Sequence, residues 1–142
     1  MTIELIDKVQ EEIINDFKGL DWFEKYELLI SLAKELKPMD EKFKVEENTI
    51  SGCQSKVWII SYKVNGNLNF EIESDTLITK GILALVLKVL NNRPVDEILN
   101  TNLYFIDEIG LRSNLSPARA NGLESVINAM KEIAIDNIED SA

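Results

Sequence analysis

Residues 57–74 carry the feature that most constrains the fold of this chain, a β-hairpin pattern. Over residues 57–64 two sets of side chains alternate, Trp58, Ile60, Tyr62 and Val64 with Val57, Ile59, Ser61 and Lys63, which indicates a strand buried strongly on one face. Over residues 68–73 apolar and polar side chains alternate, as they do in a strand with one buried face. The dipeptide Asn65-Gly66 between the two runs is the strongest short signal for a two-residue hairpin turn. The middle of the chain is therefore predicted to be an antiparallel sheet, against which the flanking segments must pack.

Two helices are predicted before the hairpin. The first carries apolar residues at helical spacing and ends at Gly19. Its apolar residues are Ile3, Ile6, Val9, Ile13 and Phe17. The second begins with Asp21 as the N-cap and Glu24 in the capping-box position, and Pro38 stops it. Between this helix and the hairpin we expect at most a short strand, near residues 47–50.

The hairpin is followed by a third long helix. Ser74 or Asp75 is expected to cap its start, because short polar side chains accept hydrogen bonds from the first free N–H groups of a helix. The helix runs through the apolar residues 82–90 and ends at Asn91-Asn92. Its composition predicts a core helix.

The remaining chain is also predicted to be helical. Pro94 opens a short helix, and Gly110 closes a further helical turn. Ser116-Pro117 combines an N-cap with a proline at the first helical position, and the last helix starts there. The acidic segment 136–142 is expected to be a frayed tail.

The order of these elements predicts one α+β domain over residues 1–142. Helices at both ends would pack on one face of a small antiparallel sheet. A chain of 142 residues without repeats or Gly-, Pro- or Ser-rich linkers fits a single domain.

The charge balance limits the partners. With 15 basic and 25 acidic residues the net charge is −10, which repels nucleic acid and anionic membranes and favours a basic patch on a protein partner. No window approaches the roughly 18 consecutive apolar residues of a spanning helix. The N-terminus is acidic and amphipathic, unlike a secretory signal, so we expect a cytoplasmic protein.

The residue inventory removes most familiar catalytic sites. The chain has no histidine and a single cysteine, so zinc sites, Ser-His-Asp triads, Cys-His proteases and an internal disulfide are excluded. Glycine-rich phosphate loops are also missing. We expect neither a metal nor a cofactor in this chain.

The single cysteine, Cys53, is the candidate reactive group. A lone free cysteine is most often a buried core residue. Here, however, the Ser51-Gly52 step before a strand marks a loop tip, and polar residues follow the thiol. Without histidine, the thiol must be activated by a lysine or arginine, by backbone N–H groups or by a partner. The sequence offers Lys56, Lys80 and Arg119, and such modest activation suits a carrier better than an enzyme acting alone.

The residues around Cys53, "SGCQSKVWI", resemble the active-cysteine signature of SufE-like sulfur acceptor proteins. The segments "LDWFEKYELLISLAKEL", "SDTLITKGILALVL" and "LSPARANGLESVINAMK" resemble the same family in the same order. The resemblance covers residues 21–131. It implies a SufE/IscU-like fold, with Cys53 on the loop between the first two strands and its thiol facing an apolar cavity.

The resemblance also implies a function. A protein of this family docks on a PLP-dependent cysteine desulfurase of the SufS type and takes the sulfane sulfur onto the residue matching Cys53. This stimulates the desulfurase, and the sulfur then passes to an iron–sulfur scaffold of the SufB type. The chain would be an accessory carrier rather than an enzyme in its own right, and PLP would belong to the partner. Whether it forms a homodimer is left open.

Further matching residues are expected to support the thiol loop or docking. These are Gly52, Gln54, Ser55, Asp75 and Arg119. Asp75 is equally explained as a helix cap, and Arg119 as a surface arginine. Lys80-Gly81 recurs in the family, although a glycine there also fits a close helix–sheet contact. Trp58 is expected in the core.

Three other functions compete with this interpretation. One is a thiol-based redox enzyme or sensor, which would react with peroxide without a desulfurase. Another is a non-covalent acidic adaptor, which would keep its activity without Cys53. The third is a metal scaffold, which one cysteine and no histidine scarcely support.

Overall fold

The computed structural model describes residues 5–53 and 55–141, with side chains up to residue 138. The elements are α1 (Ile6–Phe17), α2 (Trp22–Glu35), β1 (Val57–Val64), β2 (Asn67–Ser74), α3 (Leu77–Leu90), α4 (Val95–Asn100), α5 (Phe105–Glu108), α6 (Leu111–Asn114) and α7 (Pro117–Ser141). Two short 3-10 helices, Glu41–Phe43 and Glu46–Asn48, lie between α2 and β1. The predicted Ile3 of the first helix lies outside the described residues.

The predicted hairpin is confirmed. β1 and β2 pair in antiparallel register from Val57 opposite Ser74 to Val64 opposite Asn67. The turn residue Asn65 has φ +52° and Gly66 has φ +84°, the combination that a type I′ turn requires. One face of the hairpin is buried and supplies Val57, Ile59, Leu68, Phe70 and Ile72 to the core.

The helices complete an α+β fold on that face, as predicted. α3 contacts α1, α2 and β2, and it is the central core helix. Its buried residues are Gly81, Ile82, Leu83, Ala84, Leu85, Val86, Val89 and Leu90. α7 packs against α4. Among the helices of the described chain, none is both long and apolar enough to cross a membrane.

The predicted caps whose hydrogen-bond partners are close in sequence are confirmed. The Glu24 N–H donates to Asp21 Oδ1 at 2.9 Å and the Asp21 N–H to Glu24 Oε1 at 3.1 Å, which forms the expected capping box. At the start of α7, the Arg119 N–H donates to Ser116 Oγ at 3.3 Å. Gly19 follows α1 with φ +80°.

The short strand expected near residues 47–50 is a single β-bridge between Thr49 and Trp58. The preceding residues turn into a 3-10 helix, because their hydrogen bonds are satisfied locally. The backbone N–H and the hydroxyl of Thr49 both donate to the Glu46 carbonyl, at 3.1 and 2.6 Å. The segment before the thiol loop therefore contributes a single paired residue, Thr49, to the sheet.

One prediction about a helix end was wrong. The N-cap position of α3 is Thr76, and no side chain caps this helix. Neither Ser74 nor Asp75 serves as the cap, because the Asp75 carboxylate accepts instead from the backbone of the thiol loop. Residues 136–141 continue α7 as helix, and the fraying expected for the acidic tail stays a prediction. Ala142 lies outside the described residues.

Trp58 does not lie in the core as expected. It is half-buried and points to the face of the hairpin opposite Val57 and Ile59. The Lys44 ammonium lies 5.8 Å from the centroid of its ring. Trp58 therefore anchors the segment before the thiol loop rather than the helical core.

A close contact between α2 and α3 depends on Gly81, and it is a helix–helix rather than a helix–sheet contact. A Cβ at this position would overlap the Leu29 carbonyl.

We predict that Gly81→Ala lowers the free energy of unfolding by about 1–3 kcal/mol, the usual cost of overpacking. In the matched control Gly122→Ala, the new Cβ has no neighbour nearer than 3.6 Å. This variant should gain about 0.5–1 kcal/mol from the lower flexibility of alanine. Urea unfolding measures both, and equal shifts in the two variants would contradict the packing argument.

Candidate functional site

Cys53 lies on a loop that joins the Thr49 bridge to β1. The loop is closed at its base by a hydrogen bond from the Ile50 N–H to the Val57 carbonyl, at 2.9 Å. Gly52, just before the thiol, has φ +89°. A Cβ on Gly52 would lie 2.5 Å from Ser125 Oγ of α7. Glycine therefore permits both the backbone conformation and the close approach of the loop to α7.

The thiol is half-buried against α7. Its Sγ donates a weak hydrogen bond to the Gly122 carbonyl at 3.6 Å. A Cβ on Gly122 would lie 3.7 Å from Sγ, so the absence of a side chain there leaves space beside the sulfur. Burial raises the pKa of the Cys53 thiol above its ordinary value. At neutral pH the isolated protein therefore holds a protonated thiol.

A small cavity of about 30 Å³ lies next to the thiol, between the loop, α3 and α7. Most of its lining is apolar. The lining residues are Cys53, Ser55, Val57, Thr79, Ile82, Leu83, Ala118, Arg119, Gly122, Leu123 and Val126. One water-sized sphere needs roughly 10–15 Å³, so the cavity accommodates one or two additional heavy atoms beside Sγ.

The second arm of the loop is fixed to the start of α3. The Lys56 N–H donates to Asp75 Oδ1 at 3.1 Å, and the Asp75 N–H donates to the Lys56 carbonyl at 3.2 Å. Ser55 Oγ and Thr76 Oγ1 share a hydrogen bond of 3.1 Å. The structure thus brings Ser55 and Asp75 together as supports of the loop. Gln54 lies outside the described residues.

Of the three cationic side chains considered for activating the thiol, Arg119 alone lines the cavity. It is exposed on the first turn of α7, and within the described part of the chain its guanidinium has no hydrogen bond or ion pair. The Lys56 side chain is exposed and contributes only its backbone to the loop contacts. The Lys80 ammonium pairs with a carboxylate elsewhere, 2.9 Å from Glu73 Oε1.

The Glu73–Lys80 pair is nearly buried and lies at the end of β2. Burial alone would raise the pKa of Glu73. Hydrogen bonds from Lys80, from the Met39 N–H and from the Ser74 N–H outweigh that effect, so the pKa of Glu73 lies below its ordinary value. The Glu73 carboxylate is therefore charged at neutral pH, and it ties the segment before β1 to α3.

The site includes residues that sequence reasoning did not single out, notably Thr76, Gly122 and Ser125. A glycine inside a helical pattern is a signal of close approach, and Gly122 carries that signal. No sequence pattern identifies its partner. Among the described residues, no group of three or more histidine, cysteine, aspartate or glutamate side chains is placed to hold a metal ion.

Comparisons with known proteins agree with the resemblance seen in the sequence. Residues 11–134 match the family described as "SufE: Fe-S metabolism associated domain". "SufE-like protein 1, chloroplastic/mitochondrial" of Arabidopsis thaliana is 40% identical over 134 residues, which cover 93% of this chain and 36% of that protein. The chain therefore spans about a third of this plant relative.

Two bacterial relatives match over most of their length. An uncharacterized SufE-like protein of Rhizobium etli is 36% identical, with 87% of this chain and 88% of that protein covered. One of Rhizobium meliloti is 38% identical, with 87% and 93% covered. The solution structure of a hypothetical protein from Thermus thermophilus shares the fold. Its TM-score is 0.75, with 16% identity and coverage of 92% of this chain and 96% of that one.

The buried position of Cys53 predicts a pH dependence for its alkylation. Burial raises the thiol pKa, so the rate with iodoacetamide should reach half its maximum at a higher pH in the native protein than in the urea-unfolded chain. Because the chain has one cysteine, all labelling reports on Cys53, and Cys53→Ser is the blank. A native midpoint at or below the unfolded one would show that the loop activates the thiol by itself.

Proposed function

The chain belongs to the SufE family, whose domain is associated with iron–sulfur metabolism, and on this premise we propose that Cys53 is a sulfur acceptor. It takes the sulfane sulfur from the persulfide of a PLP-dependent cysteine desulfurase of the SufS type. The sulfur then passes to an iron–sulfur assembly scaffold of the SufB type. The observation that carries this proposal is the small apolar cavity beside Sγ.

The size of the cavity suits one sulfur atom. Its volume of about 30 Å³ admits one or two heavy atoms, which is too little for a bulky substrate. The sulfane sulfur of Cys53-S-SH would lie between Gly122 and the apolar residues Ile82 and Val126. Such a position hides the persulfide from thiol reductants, because those reductants must reach the sulfur in order to attack it.

The transfer is a thiol–persulfide exchange, in which one sulfur atom passes from one cysteine to another, and it needs no external oxidant. The Cys53 thiolate attacks the sulfane sulfur of the desulfurase persulfide, and a new S–S bond forms at Sγ. The S–S bond of the desulfurase breaks, and its cysteine leaves as a thiolate. The products are Cys53-S-SH and a desulfurase ready for the next turnover, which explains how an acceptor would stimulate the partner.

The raised pKa of Cys53 implies that docking has to activate the thiol. In the isolated chain the loop holds the thiol against Gly122, half-buried and protonated. The partner would draw the loop tip out of the cavity while the hydrogen bonds at Ile50–Val57 and Lys56–Asp75 hold its two arms. A carrier that reacts only at its partner's active site avoids losing sulfur elsewhere.

The competing functions differ in what they demand of Cys53. A redox enzyme or sensor would react with peroxide in the absence of a desulfurase. An adaptor would stimulate the desulfurase whether or not the thiol is present. The cavity favours the carrier, since an adaptor has no use for space beside a sulfur atom. We expect the protein to act in the cytoplasm without a cofactor of its own.

We predict that the native chain gains one sulfur atom when incubated with the desulfurase, PLP and cysteine, and that a thiol reductant removes it. Intact-mass spectrometry measures the gain. Cys53→Ser should gain no sulfur and should fail to stimulate the desulfurase, although it still binds. Equal stimulation by both forms, with no sulfur added to either, would leave only a docking role.

Arg119 is proposed to stabilise the anionic persulfide at the mouth of the cavity, because the guanidinium of arginine is a permanent cation with a fixed set of N–H donors. We predict that Arg119→Gln lowers the rate of sulfur transfer several-fold and leaves the affinity for the desulfurase unchanged, with partial rescue in Arg119→Lys. Single-turnover transfer followed by mass spectrometry separates rate from affinity. A loss of affinity without a loss of rate would instead assign Arg119 to docking.

A further inference from the structure

The edge of β1 that faces away from β2 has a vacant strand position. Thr49 bridges Trp58 on this edge, and in the same antiparallel register residue 47 would lie opposite Ile60 and residue 45 opposite Tyr62. The chain does not continue in this register, because it turns into the 3-10 helix Glu46–Asn48. The sheet therefore ends at a short open edge directly beside the thiol loop.

Part of this edge has no backbone partner in the described chain. Val57 uses its carbonyl on this side, where it accepts from the Ile50 N–H. In an antiparallel pair, alternate residues point to alternate edges, so the N–H and C=O of Ile59 and Ser61 also point away from β2. The Ile59 N–H faces the Asn48 carbonyl in the Thr49–Trp58 bridge. Across residues 5–53 and 55–138, no hydrogen bond reaches the Ile59 carbonyl or the Ser61 N–H and carbonyl. An open edge of this kind is a template for one more strand.

Opposite this edge stands α7, and the space between them is a groove of about 970 Å³, which we call the edge groove. It begins at Ser51 of the thiol loop and runs along β1. Its acidic lining residues are Glu47, Glu71, Glu132 and Asp136, and no lysine or arginine is among its described lining residues. Ile60 and Ile133 add apolar surface. The groove thus presents unpaired backbone groups and negative charge together.

We propose that the edge groove binds an extended basic segment of the cysteine desulfurase as a third strand of the sheet. This inference rests on the proposed function and names the docking surface for it. An added strand satisfies the Ile59 carbonyl and the Ser61 backbone groups by β-augmentation. Lysine or arginine side chains of the segment complement the four carboxylates and speed the encounter. Because the groove starts at Ser51, a segment seated in it brings the desulfurase to the loop that carries Cys53.

Charge reversal in the groove tests the electrostatic part of the proposal. We expect Glu132→Lys/Asp136→Lys to raise the dissociation constant for the purified desulfurase about tenfold at low salt. The matched control, Glu12→Lys/Asp16→Lys, changes two exposed acids with the same spacing on α1 and should bind within about twofold of the native chain. Equal weakening in both pairs would overturn the proposal in favour of a general charge effect.

Hydrogen exchange tests the strand itself. In the complex, the Ser61 amide should become protected relative to the free chain. Ser61→Pro removes the edge N–H without touching the ladder to β2, so it should weaken binding and leave the melting temperature near that of the native chain. If Ser61→Pro unfolds the chain, the hydrogen-exchange data and the charge-reversal pair still test the proposal. An unprotected Ser61 amide in a saturated complex would overturn the proposal.

Two further outcomes are informative. If the Ser61 amide is already protected in a homodimer without the desulfurase, the edge pairs two copies of this chain and the proposal is wrong. If the groove variants bind normally while Cys53 still gains sulfur, the docking inference fails and the acceptor function stands. If Cys53 gains no sulfur although the native chain binds through the groove, the acceptor function fails instead.

Discussion

The approach of the thiol loop to α7 is the contact on which the rest of the site depends. Gly52 makes it possible, because it adopts φ +89° and lies against Ser125. Gly122, on the opposite side, leaves the space that borders Sγ. A side chain at Gly52 would force the loop away from the helix, and one at Gly122 would take up space beside the sulfur. The small apolar cavity, the half-burial of Cys53 and its raised pKa all follow from this packing.

A hydrogen-bond network on the other side of the loop keeps its arms in place. It starts at the nearly buried Glu73–Lys80 pair, where the Ser74 N–H donates to the Glu73 carboxylate. The Thr76 N–H donates to Ser74 Oγ, and Thr76 Oγ1 shares a hydrogen bond with Ser55. The fold therefore holds both ends of the loop. Among the described residues, its tip, which bears the thiol, is held by packing and one weak hydrogen bond. That division suits a loop whose tip must move to a partner.

The sequence correctly predicted the features that depend on residues close together in the chain. The hairpin and the capping box of α2 involve residues within a few positions of one another, so their patterns can be read directly. The family signature identified Cys53 as the candidate reactive group. The contact between Cys53 and Gly122 spans 69 positions, and no local pattern encodes it. Of the strand expected before the loop, the structure has the single Thr49 bridge, because a 3-10 turn satisfies the backbone of the preceding residues. Asp75 does not cap α3, because its carboxylate accepts from the Lys56 N–H of the loop, which is distant in sequence.

The measurement that tests the central claim most directly is a crystal structure of the persulfurated chain. The account predicts electron density for one additional sulfur atom bonded to Sγ of Cys53 and lying in the cavity between Gly122, Ile82 and Val126, with α7 unmoved. Density for the additional sulfur projecting into solvent, with the cavity unchanged and unfilled, would contradict the account. In that case the cavity would be a packing defect, and protection of the persulfide would have to come from the partner.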